Sequence, residues 1–60
     1  MKREEIDNIL RNLLVSGNIV TVSFEQMREI RKELSGFVKP VQIEIIKSDF
    51  KTVSFRELRD

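Results

Sequence analysis

The sequence GNIVTVSFEQ, residues 17–26, is the most informative part of the chain, because it predicts the end of one helix, a strand and the start of another helix. Gly17 is typical of a helix end, since glycine adopts the left-handed backbone conformation without a Cβ clash. Residues 19–22 are all β-branched, which favours a pleated, buried strand. Ser23 and Gln26 have the spacing of a capping box, in which each side chain bonds the other residue's backbone amide.

The residues before this stretch have the periodicity of an amphipathic helix. Apolar side chains recur at i, i+3, i+4, i+7 and i+8, namely Ile6, Ile9, Leu10, Leu13 and Leu14. This pattern predicts a first helix over residues 2–16. The central stretch then predicts a strand over residues 18–23 and a second helix over residues 24–35, which Gly36 ends.

The C-terminal part of the chain begins after the only proline, Pro40. Residues 41–45 alternate apolar and polar side chains, which predicts a second strand. Ser48-Asp49 is typical of a turn, after which residues 50–55 are expected to pair back as a third strand. Residues 54–57 repeat the capping-box spacing of residues 23–26, so they are an alternative start for a last helical turn.

These elements predict a single small α+β domain, residues 1–60, with the order α-β-α-β-β. The first strand, second helix and second strand are expected to form a right-handed βαβ unit with parallel strands. The second and third strands are expected to form an antiparallel hairpin. The predicted architecture is thus two-layered, with two helices on one face of a mixed three-stranded sheet.

The composition favours a non-enzymatic protein. The chain contains neither His nor Cys, which excludes disulfides and nucleophilic catalysis with a histidine base. Phosphate-binding and dinucleotide-binding glycine patterns are also absent from the sequence. We therefore predict no catalytic, cofactor-binding or metal-ligating residues and no cofactor. The net charge of +1 gives no support for a surface that binds polyanions.

The small size of the chain favours association with a second copy. Sixty residues bury little of their surface, and with no Ala nearly every apolar residue here is bulky. Small domains commonly compensate with disulfides, metal or a second subunit, and only the last fits this composition. We predict a homodimer whose interface uses an apolar face of the sheet. The candidate interface residues are Ile46, Phe50, Val53 and Phe55.

Residues 18–27, NIVTVSFEQM, resemble the strand and the start of the first helix of ribbon-helix-helix repressors. The likeness extends from Asn18 to Gly36. In that family two subunits pair this strand into a ribbon that enters the DNA major groove. The resemblance implies DNA-facing side chains at Ile19, Thr21 and Ser23. The sequence departs from the family where residues 41–45 predict a strand instead of a second helix.

The sequence therefore leads to two hypotheses about function. The first is a small non-enzymatic module that binds a macromolecule, most plainly another protein, as a homodimer. The alternative is a small DNA-binding transcriptional regulator. No apolar run approaches the ~20 residues that span a bilayer, so we expect a cytoplasmic protein without a membrane partner. The absence of Ala and the seven Ile suggest an AT-rich genome of bacterial or phage type.

Overall fold

The computed structural model describes residues 2–59, which form two helices and a three-stranded sheet. The elements are helix α1 (Arg3–Leu10), strand β1 (Val20–Ser23), helix α2 (Phe24–Leu34), strand β2 (Ile43–Ser48) and strand β3 (Thr52–Glu57). A π-helical turn, Arg11–Val15, follows α1 without a break. The protein is an α+β domain with the predicted order α-β-α-β-β.

The predicted first helix forms, but its last turn is wider than an α-helix. The Ser16 amide donates to the Arg11 carbonyl at 3.2 Å, five residues back, which is the π-helical pattern. Gly17 then has a φ of +68°, and the Asn18 amide donates to the Asn12 carbonyl at 2.9 Å. Gly17 therefore ends the helix in the left-handed conformation, as predicted, and directs the chain toward β1.

Arg59 connects the C-terminal residues to the end of the first helix. Its Nη2 donates to the Leu14 carbonyl at 2.7 Å, and its Nε donates to Glu57 Oε1 at 2.8 Å. The partial negative charge at a helix C-terminus favours a cation in this position. The guanidinium also lies beside Gly17, where a Cβ would be 3.3 Å from Arg59 Nη1.

The capping box at the start of α2 is confirmed. The Gln26 amide donates to Ser23 Oγ at 3.2 Å, and the Ser23 amide donates to Gln26 Oε1 at 2.9 Å. Both bonds satisfy amides that a helix start otherwise leaves without an intrahelical partner. The helix buries Met27, Ile30 and Leu34 along one stripe.

Replacing Ser23 by Ala is expected to lower the free energy of unfolding by about 1 kcal/mol, because the helix loses its N-cap acceptor. Urea denaturation followed by far-UV circular dichroism measures the change. Ser35 is a suitable control, because its hydroxyl donates to the Lys32 carbonyl at the exposed end of the same helix. Equal losses for the two variants would contradict a special role for Ser23.

The sheet order β1-β3-β2 corrects one detail of the predicted topology. β3 lies between the other two strands and is antiparallel to both, with Val22 opposite Val53 and Ile45 opposite Phe55. β1 and β2 therefore run in the same direction, as expected, but they do not pair. The sheet is antiparallel throughout, because both of its pairings involve β3. The central position of β3 is also the one in which its apolar side chains are covered best.

β3 also decides between the two interpretations of the C-terminal residues. Ser54 and Glu57 are strand residues, so the alternative of a last helical turn does not form. Hydrogen bonds to two neighbouring strands outweigh a local capping signal, and the Ser54 hydroxyl bonds Thr21 Oγ1 at 2.8 Å across the sheet. The strand begins at Thr52 and extends to Glu57, two residues beyond the predicted third strand.

The core is one cluster that joins both helical segments to one face of the sheet. Phe55, Leu13 and Ile30 are fully buried. The other core residues are Ile6, Val22, Met27, Leu34 and Val53. The strand residues in this cluster lie opposite one another or at alternate positions, so they share one face of the sheet.

Asp49 organises the hairpin between β2 and β3, as the turn prediction required. Its Oδ1 accepts hydrogen bonds from the Lys51 and Thr52 amides, both at 2.8 Å, and the Asp49 amide donates to the Thr52 carbonyl at 3.0 Å. The bond from the Lys51 amide, followed by that from Thr52, lowers the pKa of the Asp49 carboxyl below its usual value. The Asp49 carboxylate is therefore the acceptor that closes the hairpin turn.

Candidate binding surface

The sheet face away from the core is polar. Thr21 bonds Ser54 on this face, and Arg56 Nε donates to Glu44 Oε2 at 3.2 Å between neighbouring strands. All four of these residues alternate with core-facing positions on their strands. This part of the sheet therefore does not offer the apolar face that the predicted dimer interface was expected to use.

The residues predicted for the dimer interface fall into two groups. Val53 is 4% exposed and Phe55 is fully buried, so neither is available at the surface of the folded chain. Their positions on β3 turn both side chains toward the helices. Ile46 and Phe50 are exposed, Ile46 on β2 and Phe50 at the hairpin tip, where Lys51 Nζ lies 5.5 Å from its ring centroid.

Strand β2 lies at an edge of the sheet. It pairs with β3 on one side, and no strand within residues 2–59 pairs with its other side. The register shifts between Ile45 and Lys47, so Ile46 is the extra residue of a β-bulge. Ile45 and Ile46 are both exposed although they are large and apolar. An edge of this kind presents unpaired backbone groups beside apolar side chains.

A groove runs between α2 and β2 on the core-facing side of the sheet, and we call it the α2–β2 groove. Its main hollow, of ≈ 490 Å³, is lined by Phe24, Met27, Arg28, Arg31, Ile45, Ser48 and Val53. Met27 and Val53 are buried and form its floor, whereas Phe24 and Ile45 are nearly half exposed. A second hollow, of ≈ 230 Å³, shares Arg31 and extends to Leu34 and Pro40.

The charge of this groove has one sign. Among residues 2–59, Arg28 and Arg31 are the charged side chains that line it, and none of the lining residues in that range is acidic. Neither arginine side chain has a hydrogen bond or an ion pair within the described part of the chain. They are three residues apart on α2, which places them on the same side of the helix. The groove therefore combines an apolar floor with two cations that no acidic side chain of the described part of the chain pairs with.

The residues that the ribbon-helix-helix resemblance implies for DNA contact have other positions here. Ile19 is half exposed and precedes β1, while Thr21 bonds Ser54 and Ser23 caps α2. β1 pairs with β3 of the same chain. After α2 the chain continues through residues 35–42 into β2, whereas the repressor family has a second helix there. The likeness to that family therefore ends with α2.

The described residues offer no metal-ligand cluster, since no group of three or more Asp and Glu side chains among them is arranged to hold an ion. No helix within residues 2–59 has the length and apolar character to cross a membrane. The lowered pKa of the Asp49 carboxyl belongs to the hairpin turn described above.

No pattern in the sequence predicts the groove. The sequence predicts the correct elements for Phe24, Arg28 and Ile45, but the position of these residues around one groove depends on how α2 lies relative to β2. The sequence contains only a weak indication of this groove. Phe24 is the first residue of the predicted second helix, and Arg28 and Arg31 have helical spacing on its polar side. No family model, curated protein or solved structure matches this chain.

Proposed function

We propose that this chain is a small non-enzymatic module that binds another protein and works as a homodimer. The observation that carries the proposal is the open edge of β2, where Ile45 and Ile46 are exposed beside the α2–β2 groove. Exposed apolar side chains next to an unpaired strand edge are typical of surfaces that bind protein. The composition supports a cytoplasmic protein of bacterial or phage type.

The bulge in β2 makes its edge complementary to a second copy. Glu44 pairs with Arg56 and Lys47 pairs with Ser54, so Glu44 and Lys47 lie on the same face although they are three residues apart. An antiparallel β2–β2 contact with its two-fold axis between Ile45 and Ile46 places Glu44 opposite Lys47 of the second copy. The symmetry repeats this pair, and opposite charges facing each other stabilise strand pairing.

Sedimentation at micromolar concentration is expected to give twice the chain mass of 7.1 kDa. Ile46→Lys should shift the equilibrium toward monomer, because the axis brings the two copies of residue 46 close together and the new charges repel. Val38→Lys is the matched control, since Val38 is fully exposed in the segment between α2 and β2.

The dimer proposal fails if the wild-type chain sediments as a monomer with a cooperative thermal transition. It also fails if Val38→Lys dissociates the dimer as strongly as Ile46→Lys does. Circular dichroism of both variants verifies that each is folded before the masses are compared.

A further inference from the structure

We propose that the α2–β2 groove binds an amphipathic helix of a partner protein, with carboxylates along the flank that faces α2. This inference rests on the proposed function as a protein-binding module, whose partner it describes. It does not depend on the dimer, because the groove lies on the core-facing side of the sheet and the proposed dimer contact lies along the edge of β2.

The open half of the sheet favours a helix over an extended segment. The helical segments cover β1 and β3, while Ile45 of β2 remains nearly half exposed on the same face. The stable cover of an apolar sheet face is a helix or a second sheet. A strand added to β2 would extend the sheet edge but would leave Ile45 and Phe24 uncovered. A helix parallel to α2 would place its apolar stripe in the groove.

The length of the groove matches a short helix. The hollows follow α2 from Phe24 at its first turn to Leu34 at its last residue. Eleven helical residues extend ~16 Å, so a partner helix of about three turns is sufficient to follow the whole groove.

Charge complementarity specifies the flank of the partner helix. Arg28 and Arg31 lie along one side of the groove without an acidic partner among the described residues. Carboxylates at i, i+3 or i, i+4 on a helix have the same spacing as these two guanidinium groups. Bonds between guanidinium and carboxylate groups are charge-assisted, and they gain strength beside an apolar floor. The partner helix is therefore expected to be acidic on the side that contacts α2.

A second copy of the chain does not supply such a helix. The apolar stripe of α1 includes Ile6 in the core, and that of α2 includes Ile30 and Leu34. Either helix would have to leave its own core to bind in the groove of another copy. The occupant is therefore a different protein.

The experiment uses three synthetic peptides of about 14 residues, long enough to be partly helical in water. One has a Leu stripe at helical spacing with a Glu flank, the second replaces Glu by Lys, and the third has the first composition in shuffled order. Each peptide is titrated into the full chain, and affinity and site are read from amide chemical shifts. The Glu peptide is expected to bind, with shifts concentrated at Phe24, Arg28, Arg31 and Ile45.

Reversing the charges of Arg28 and Arg31 tests whether these side chains select an acidic peptide. In the double variant Arg28→Glu/Arg31→Glu, affinity for the Glu peptide should fall roughly tenfold, as expected for two exposed ion pairs. The Lys peptide should become the tighter ligand. Lys32→Glu is the matched control, because Lys32 is on the same helix but lines a different hollow, beside Ile6. Its affinity for the Glu peptide should change less than about twofold.

Three kinds of result would overturn the inference. The first is a Glu peptide that shows no saturable binding or binds no better than the shuffled peptide. The second is an equal loss of affinity in the Lys32 variant. The third is tighter binding of duplex DNA than of the Glu peptide, with the Arg28 and Arg31 changes abolishing it, which would assign the cations to phosphate. Sedimentation tests the dimer separately, so a failed peptide titration leaves that result unaffected.

Discussion

Phe55→Ala is expected to lower the free energy of unfolding by about 3–5 kcal/mol, the range for removing a buried phenylalanine. Phe55 is fully buried at the centre of the sheet, opposite Val20 on one side and Ile45 on the other. A core of this size rarely supplies more than about 3–5 kcal/mol, so the variant should be largely unfolded at room temperature. Far-UV circular dichroism is the suitable measurement, because the chain has neither Trp nor Tyr.

Phe50→Ala is the matched control for this substitution. Phe50 is 85% exposed at the hairpin tip, so the same truncation should change the free energy of unfolding by less than about 0.5 kcal/mol. Both variants are compared at one protein concentration, since dimerisation would add to the measured stability. If Phe50→Ala were the more damaging change, the tip would have to be buried in an interface and Phe55 would not be the centre of the core.

Gly17→Ala is expected to lower the free energy of unfolding by about 1–2 kcal/mol, the cost of an L-residue in the left-handed region. Gly17 has a φ of +68°, and its new Cβ would lie 3.3 Å from Arg59 Nη1. To relieve that contact the guanidinium must shift, which weakens its bond to the Leu14 carbonyl. Urea denaturation of the two chains measures the loss.

Gly36→Ala serves as the control for the Gly17 variant. Among glycines, only Gly17 has a positive φ within residues 2–59. An alanine at position 36 therefore does not have to adopt the left-handed conformation. A Cβ at Gly36 would be 3.4 Å from the Glu33 carbonyl oxygen, which is an ordinary contact. We expect a change within about 1 kcal/mol, because the alanine also restricts the unfolded chain. A loss equal to that of Gly17→Ala would contradict the conformational explanation.

The proposed dimer and the proposed binding of an acidic helix are tested by independent experiments. The charge at position 46 tests the edge of β2, and the charges at positions 28 and 31 test the groove. The two surfaces share β2, but the groove lies over its core-facing side and the dimer contact follows its free edge. A chain that dimerises but binds no acidic helix would retain its proposed class and lose the proposed partner.

Features that depend only on neighbours within a few residues could be predicted from the amino-acid sequence. The Ser23–Gln26 capping box, the left-handed Gly17 and the Asp49 turn all form as predicted. Each is made of hydrogen bonds or backbone conformations that a short segment completes alone. The element order followed from hydrophobic periodicity for the same reason.

The order of the strands and the exposure of their side chains depend on how distant segments pack together. Residues 54–57 carry a helix-start signal, yet they form β3, because strands distant in the sequence supply hydrogen bonds on both sides. That central position buries Val53 and Phe55, which the pattern alone had assigned to an interface. The α2–β2 groove likewise exists only where α2 stops short of covering β2. These features depend on pairing and packing between distant segments, and local sequence patterns do not specify which segments meet.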